Sequence, residues 1–269
     1  MLKQRVITAC FLVAFLAVVL LCVPYAGFAL AVSLVMVLAA WEWANMAGLS
    51  SGVWRAVYAA AMALLMGGLF VSGFHEHHSG VLVVMLLSLV GWLGAAWMLW
   101  RYPAVTGWYK VSILLPAGVW LLVPVWLGLL VLQPHAPHSG LVWLVIAVIA
   151  AADIGAYFAG RRFGRRKLAV HVSPGKTWEG FFGGLLAASV LGVVVSLFSS
   201  PFAGVVPVMV LTAVASVIGD LFESMVKRQC GIKDSSQLLP GHGGVLDRID
   251  GWTAAIPVFA LSYLLLVNP

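Results

Sequence analysis

The run from Gly219 to Arg228 places a carboxylate, a hydroxyl and two cations at the end of a long apolar stretch. Helical spacing puts Asp220, Ser224 and Lys227 on one face, because residues three and four apart are neighbours on a helix. Oxygen ligands of this kind hold Mg²⁺, while Lys and Arg neutralise phosphate oxygens. The mixture favours a site for a metal-bound polyphosphate, with Asp220 on the metal and Lys227 and Arg228 on phosphate. A purely structural ladder of salt bridges would also give acid and base at this spacing.

A second polar segment follows and ends just before the last apolar stretch. Glycines surround His242, and glycine lets backbone approach a ligand closely, which a simple connection does not need. Asp247 can supply a second metal carboxylate. His242 could bind or protonate a phosphate or simply hydrogen-bond the turn, and Asp250 could instead be the N-cap of the last helix. The other polar candidates in this segment are Lys233, Asp234 and Arg248.

The segment from Ser173 to Gly180 predicts a helix start, because Ser173 suits an N-cap and Pro174 suits the first helical position. Free N–H groups, the helix dipole, Lys176 and the Thr177 hydroxyl would then form an anion site. The segment is not a phosphate-binding P-loop, which needs a glycine at position 170 and a preceding strand. The alternative is a well-capped membrane helix whose lysine reaches towards water.

Asp153 lies inside an apolar stretch, and helical spacing puts it on one face with Tyr157 and Gly160. A carboxylate at that depth in a membrane is costly and normally faces a polar interior or a partner. We therefore expect Asp153 to bind substrate. The alternative is a structural aspartate that pairs with an arginine of the following loop.

The elements that must position these residues are membrane helices. The chain has 269 residues, of which 63% are hydrophobic and 9% charged, and its mean hydropathy is +1.06. Such a chain has too little polar surface to cover a soluble globule. Apolar stretches of roughly 20 residues match the length that crosses a bilayer. The sequence predicts an all-α polytopic membrane protein with about nine spans, at residues 6–23, 25–41, 54–73, 81–100, 112–132, 141–160, 178–199, 203–222 and 252–267.

The basic residues predict the orientation of these spans. With a cytoplasmic N-terminus, all 15 Lys and Arg residues fall on one side, and the opposite connections at Pro24, 74–80, 133–140 and 199–202 contain none. The net charge of +6 therefore reflects topology and not nucleic-acid binding. The cluster His75 to His78 would lie on the opposite face, in a short exposed loop without the fixed scaffold that a metal site requires.

Acidic residues are concentrated in the second half of the chain, which favours a scaffold at residues 1–140 and a catalytic region at 141–269 within one membrane domain. The 3 cysteines are too few and too scattered for a disulfide framework or a zinc site. We expect the active site at the cytoplasmic ends of the helices.

The stretch from Ser224 to Asp250 resembles the signature of the phosphatidate cytidylyltransferases, also called CDP-diacylglycerol synthases. The upstream blocks around Asp153, Ser173 and Asp220 also look like the bacterial members, whereas the first half is similar mainly as a hydrophobic scaffold. The matching signature residues are Ser224, Val226, Lys227, Arg228, Lys233, Asp234, Ser236, Leu239, Pro240, His242, Gly243, Gly244, Val245, Asp247, Arg248, Ile249 and Asp250.

The resemblance implies transfer of CMP from CTP to phosphatidate, giving CDP-diacylglycerol and pyrophosphate for phospholipid biosynthesis. It implies that Mg²⁺ is required, that Asp220 and Asp247 form the metal centre, and that the enzyme is a homodimer of the bacterial inner membrane. A second cation is possible. The departures are Ser236, where glycine is common, and Gly175, where many members carry a lysine.

Two other functions are compatible with parts of the pattern. Intramembrane carboxylates also mark ion pathways, but a transporter would carry charge through its spans to both faces. A CTP-using polyprenol or phytol kinase would share a nucleotide and metal site on membrane helices. The complete pattern from Ser224 to Asp250 favours the cytidylyltransferase.

Overall fold

The computed structural model describes residues 2–133, 140–198 and 204–266. These residues form ten α-helices, a 3-10 turn at Phe74–Glu76 and a two-stranded hairpin. The helices are α1 Leu2–Cys22, α2 Tyr25–Met46, α3 Gly52–Val71, α4 His78–Arg101, α5 Val111–Leu132, α6 Gly140–Phe163, α7 Trp178–Phe198, α8 Val205–Gln229, α9 Leu246–Ile249 and α10 Trp252–Leu266. The strands are β1 Lys167–Ala169 and β2 Ser173–Thr177.

The predicted all-α membrane architecture is confirmed. Within the described residues, 8 helical segments are long and apolar enough to cross a membrane, and the last of them runs from Leu246 to Leu266 through α9 and α10. Helix formation lets backbone groups hydrogen-bond within the segment, which lipid requires. The first predicted span forms helix α1, of which the stretch Val13–Cys22 is a shorter apolar helix.

An aromatic cluster joins the first half of the bundle to α8. Phe222 contacts the rings of Trp43, Trp92 and Trp120, with ring centres 5.6–6.5 Å apart. The Trp43 indole N–H donates to the carbonyl of Leu114 at 2.6 Å, which satisfies its polar atom inside the core. The helix that carries Asp220 is thereby fixed against α2, α4 and α5.

Small residues bring α6 and α7 into close contact. A Cβ added at Gly155 would lie 2.6 Å from the carbonyl oxygen of Gly183, and one added at Gly184 would lie 2.7 Å from the carbonyl of Ala152. Membrane helices approach closely where small residues face each other. This contact holds α6, which carries Asp153, against the helix that follows the hairpin.

The predicted helix start at Ser173 is wrong, because residues 173–177 form strand β2. The strand pairs antiparallel with β1, Lys167 opposite Thr177 and Ala169 opposite Ser173. The local pattern does not separate the two outcomes, because an N-cap residue is itself extended. The strand is held by its pairing with β1 and by the Glu179 carboxylate, which accepts the N–H groups of Arg165 and Arg166. Helix α7 begins at Trp178 instead, and Thr177 is its cap, with Oγ1 accepting the Gly180 N–H at 3.1 Å.

The polar connections meet at one end of the bundle. Tyr109 Oη donates to the carbonyl of Met46 at 2.7 Å and lies 3.0 Å from Cys230 Sγ, which joins the ends of α2, α5 and α8. Arg228 Nε donates to the carbonyl of Val172 at 3.1 Å, which joins α8 to the hairpin. The connections predicted to be cytoplasmic therefore share one end. The predicted opposite loops at 133–140 and 199–202, and the end of the ninth span at residue 267, lie largely outside the described residues.

Candidate functional site

Lys176, Asp220 and Ser224 form the first part of the site. Lys176 on β2 donates to Asp220 Oδ2 on α8 at 2.5 Å, and Ser224 Oγ lies 3.4 Å from Asp220 Oδ1. The contact between Asp220 and Ser224 confirms that the two residues share a helical face. The Lys176 and Asp220 side chains are 28% and 32% exposed, so water and solutes can reach them.

Asp153 extends this group from α6. Its carboxylate lies within electrostatic range of Asp220, which repels it, and of Lys176, which attracts it. Asp153, Tyr157 and Gly160 line one cavity of about 380 Å³, together with Arg161, Lys176, Thr177 and Phe181. The prediction that Asp153 shares a face with Tyr157 and Gly160 is confirmed. The cavity has charged groups beside aromatic and aliphatic walls, an arrangement that suits an amphiphilic ligand.

Lys227 lies in the second part of the site, which is more deeply buried. Its ammonium donates to Asp247 Oδ1 at 2.6 Å and lies 3.2 Å from Glu223 Oε1. The Lys227 side chain is 10% exposed, and those of Glu223 and Asp247 are 3% and 5% exposed. A buried charge is tolerated only when it is paired, so the ammonium of Lys227 offsets the burial and the mutual repulsion of the two carboxylates.

Asp247 is held by groups from three segments. Its Oδ2 accepts the Ser235 N–H at 2.8 Å, the Gly244 N–H at 2.8 Å and a contact from Ser235 Oγ at 3.0 Å. Lys227 donates to Oδ1, so both oxygens of the carboxylate accept hydrogen bonds. Gly243, with φ +83°, lets the loop backbone lie close to this carboxylate, since a Cβ there would lie 2.7 Å from Asp247 Oδ2. The glycines around His242 therefore allow the loop to fold onto Asp247.

Glu42 on α2 also contacts this loop, although its role was missed from the sequence. Its carboxylate accepts hydrogen bonds from the hydroxyls of Ser235 and Ser236 and from the N–H groups of Val245 and Leu246, at 2.6–3.1 Å. The residue is 2% exposed. The second predicted span ends at residue 41, which leaves Glu42 in the following connection, whereas α2 continues to Met46 and carries the residue.

The remaining predicted residues lie around this centre. Arg228, Lys233, Asp234 and Arg248 are exposed and Ser173 is partly exposed. His242 is partly buried, and its Nδ1 has no hydrogen-bond partner among the described residues. Asp250 lies within electrostatic range of Asp220, and its carboxylate accepts the Gly251 N–H at 2.7 Å ahead of α10.

The oxygen ligands fit a divalent cation of the magnesium type at Asp220. Within the described ranges, no three His, Cys, Asp or Glu side chains form a ready-made cage. Mg²⁺ does not need one, because it keeps several waters and uses one or two carboxylates together with substrate phosphates. Asp220 is accessible and is surrounded by more carboxylates than lysines. Oδ1 of Asp247 already accepts a hydrogen bond from Lys227, which would compete with a metal for that oxygen.

Cys230 does not offer a nucleophile. Burial raises the pKa of its thiol, and burial together with the contact to Cys230 also raises the pKa of the Tyr109 phenol. Both groups are therefore protonated at neutral pH, and only the thiolate of a cysteine is nucleophilic. The contact between Tyr109 and Cys230 instead joins the ends of α5 and α8.

These features define a multi-pass membrane protein with a polar, oxygen-rich site at one end of its helix bundle. The chain belongs to the cytidylyltransferase family, whose profile matches residues 3–266. It is 46% identical over 271 residues to the phosphatidate cytidylyltransferase of Pseudomonas aeruginosa, across 97% of this chain and 96% of that protein. It is 42% identical over 289 residues to the phosphatidate cytidylyltransferase of Haemophilus influenzae, across 98% of this chain and 99% of that protein. A further relative of that name, from Brucella suis, is 50% identical over 127 residues, which is 46% of this chain and 47% of that protein.

Proposed function

We propose that this protein transfers CMP from CTP to phosphatidate, giving CDP-diacylglycerol and pyrophosphate. The observation that carries the proposal is the folding of the Ser224 to Asp250 segment around one buried carboxylate, Asp247, which is paired to Lys227 of α8. The same helix presents Asp220 to the hairpin lysine, Lys176. Family membership across residues 3–266 supports the reaction, and neither the kinase nor the transporter is favoured.

The chemistry requires two polyanions to meet. The phosphate of phosphatidate attacks the α-phosphorus of CTP in line, a P–O bond forms, and the bond to the bridging oxygen breaks as pyrophosphate leaves. An ionised phosphate monoester is already a competent nucleophile, so no strong general base is needed. The work of the protein is to screen repulsion and to stabilise charge on the leaving group. Lys227, Arg228, Lys233 and Arg248 are proposed to bind phosphate oxygens.

Substrate contacts are proposed on both sides of Asp220. The cavity beside Asp153 suits the lipid, since its polar end meets Lys176 and Arg161 while Tyr157 and Phe181 give it an apolar wall. Ser173, Thr177, Ser224, Asp234 and His242 complete the proposed substrate contacts. The lipid would reach this cavity sideways from the cytoplasmic leaflet while CTP arrives from water.

Mg²⁺ is the proposed cofactor, held by Asp220 and Asp247. Bound there with the triphosphate, it would neutralise charge on the phosphates and on the departing pyrophosphate. Asp220→Asn and Asp247→Asn should each abolish turnover, because each removes a charged oxygen ligand, whereas Glu76→Gln at the opposite end should be nearly silent. Wild-type turnover at saturating Mg²⁺ in either aspartate variant would remove that residue from the metal site.

The protein is a multi-pass membrane protein, and we propose the bacterial inner membrane with a cytoplasmic N-terminus as its location. A homodimer is also proposed, on the resemblance alone. The mass of the purified protein in mild detergent, measured by light scattering and corrected for bound detergent, tests the dimer. A mass of one chain would contradict it.

The test of the reaction is an assay of the purified protein with labelled CTP and short-chain phosphatidate. Labelled CDP-diacylglycerol with release of pyrophosphate is the expected result, whereas phosphorylation of a prenol or phytol would identify the kinase. Direct transfer also predicts inversion at the α-phosphorus. Retained configuration from chirally labelled α-thio-CTP, or a trapped cytidylyl-enzyme, would refute the single-step mechanism.

A further inference from the structure

We infer that Glu42, on α2 in the first half of the chain, is a positioning residue. It holds the loop whose residues Ser235 and Gly244 donate hydrogen bonds to Asp247. The expected effect on catalysis rests on the proposed function, whereas the effect of Glu42 on the loop does not. Each oxygen of the Glu42 carboxylate accepts one hydroxyl and one backbone N–H: Ser236 and Val245 on Oε1, Ser235 and Leu246 on Oε2. Four donors on two oxygens match an ionised carboxylate, which accepts and does not donate.

Three consecutive backbone N–H groups are divided between two carboxylates. The Gly244 N–H donates to Asp247 Oδ2 at 2.8 Å, and the next two, at Val245 and Leu246, donate to Glu42 at 2.9 and 2.8 Å. Adjacent peptide groups cannot move independently, because only two dihedral angles separate them. A shift of the loop away from Glu42 would therefore also move the Gly244 donor away from Asp247.

Ser235 makes a second connection between the same carboxylates. Its Oγ lies 3.1 Å from Glu42 Oε2 and 3.0 Å from Asp247 Oδ2, while its N–H donates to Asp247 at 2.8 Å. A hydroxyl has one proton, so it can complete a full hydrogen bond to only one of them at a time. The serine thus lies between the two acids, and its position depends on both.

The packing leaves little freedom in this arrangement. A Cβ at Gly244 would lie 2.0 Å from Ser235 Oγ and 2.6 Å from Glu42 Oε2, so the loop backbone is in direct contact with the carboxylate. Partners that orient a ligating group typically change metal affinity or activity by about 10- to 100-fold when they are removed. Glu42 acts through Asp247 in this way and does not itself contact the proposed substrates.

The variant Glu42→Gln keeps the size of the side chain but replaces one acceptor oxygen with an NH₂ group. Whichever oxygen is replaced, one backbone N–H then faces the NH₂ group, whereas the serine hydroxyl at the same atom can rotate and accept from it. Glu76→Gln is the matched control, since it makes the same chemical change at the opposite end of the bundle, where the side chain is 63% exposed. Ser235→Ala is the second variant, for use if Glu42→Gln does not fold. It removes only the hydroxyl that lies between the two carboxylates.

Hydrogen–deuterium exchange measures the coupling without reference to activity. In Glu42→Gln we expect faster exchange at Val245 and Leu246, and also at Ser235 and Gly244, whose N–H groups are bonded to Asp247. Ser235→Ala should likewise speed exchange at Gly244, and Glu76→Gln should change none of them. Unchanged exchange at Ser235 and Gly244 in the folded variant would overturn the inference.

Kinetics give the second readout. Glu42→Gln should lower kcat by about 10- to 100-fold and raise the Mg²⁺ concentration that gives half-maximal activity. A lower yield of folded protein with unchanged kcat and unchanged Mg²⁺ dependence would mean a merely structural role, and would refute the positioning role. If the wild-type protein makes no CDP-diacylglycerol, the proposed function fails, while the exchange experiment still decides whether Glu42 positions the loop.

Discussion

Replacing Lys227 with methionine tests the buried part of the site most directly. The change keeps a long unbranched side chain but removes the ammonium that lies 2.6 Å from Asp247 Oδ1 and 3.2 Å from Glu223 Oε1. Those carboxylates are 5% and 3% exposed, so water cannot replace the lost cation. Two acids would then lie buried near each other without a charge partner.

The loss of stability expected in Lys227→Met follows from the burial of these side chains. Removing one partner of a buried ion pair costs about 3–5 kcal/mol, because an uncompensated charge is left behind. Lys176→Met is the matched control: it breaks a similar lysine–aspartate contact, but at side chains that are 28% and 32% exposed. Pairs near solvent are worth about 1 kcal/mol or less. We therefore expect Lys227→Met to lower the free energy of unfolding several times more than Lys176→Met does.

Reversible unfolding in mixed micelles, followed by far-UV circular dichroism, would give both free energies of unfolding. Adding Glu223→Gln to Lys227→Met should recover part of the loss, because one of the two unpaired charges is removed. Equal stability of the two single lysine variants would refute the argument, since it would mean that Lys227 is not a buried partner of Asp247.

Three further predictions address the topology, the loop and the metal. A cysteine placed near His77 and one near Arg165 should be labelled from opposite sides of the membrane, and labelling from the same side would contradict the nine-span arrangement. Gly244→Ala should lower the unfolding temperature and the activity, because its Cβ would lie 2.0 Å from Ser235 Oγ; normal stability would show that the loop can shift. Chelation of Mg²⁺ should abolish CMP transfer and added Mg²⁺ should restore it, whereas activity in excess chelator would argue against the cofactor.

Most of the helices could be predicted because membrane spans follow from composition and length. The hairpin at Lys167–Thr177 could not, since the Ser173-Pro174 pair that begins β2 also matches the rules for a helix cap. What decides between the two is tertiary: the Glu179 carboxylate accepts the N–H groups of Arg165 and Arg166, and the Trp178 N–H donates to the Arg166 carbonyl. These contacts join residues more than ten positions apart, which no local pattern specifies.

Within the site, contacts along one helix could be predicted from residue spacing, whereas contacts between helices could not. The contact between Asp220 and Ser224 follows from their separation by one turn of α8. Lys227 satisfies the same rule, yet its ammonium lies between Glu223 and Asp247, because a buried cation is held by whichever carboxylates surround it. The partners of Glu42 lie about two hundred residues away in the chain, and the predicted span ends at residue 41, so no local pattern points to them.

In the described structure, two lysines of the site are each paired with at least one carboxylate. Lys176 is bonded to Asp220, and Lys227 to Asp247 and Glu223. A polyphosphate with its divalent cation offers the complementary pairing, in which lysines bind phosphate oxygens and carboxylates bind the metal. Substrate binding would therefore exchange one set of ion pairs for another and would not expose an isolated charge in a membrane. Affinity should then depend on how firmly the carboxylates stay in place when their lysines leave, and for Asp247 that depends on the donors from Ser235 and Gly244.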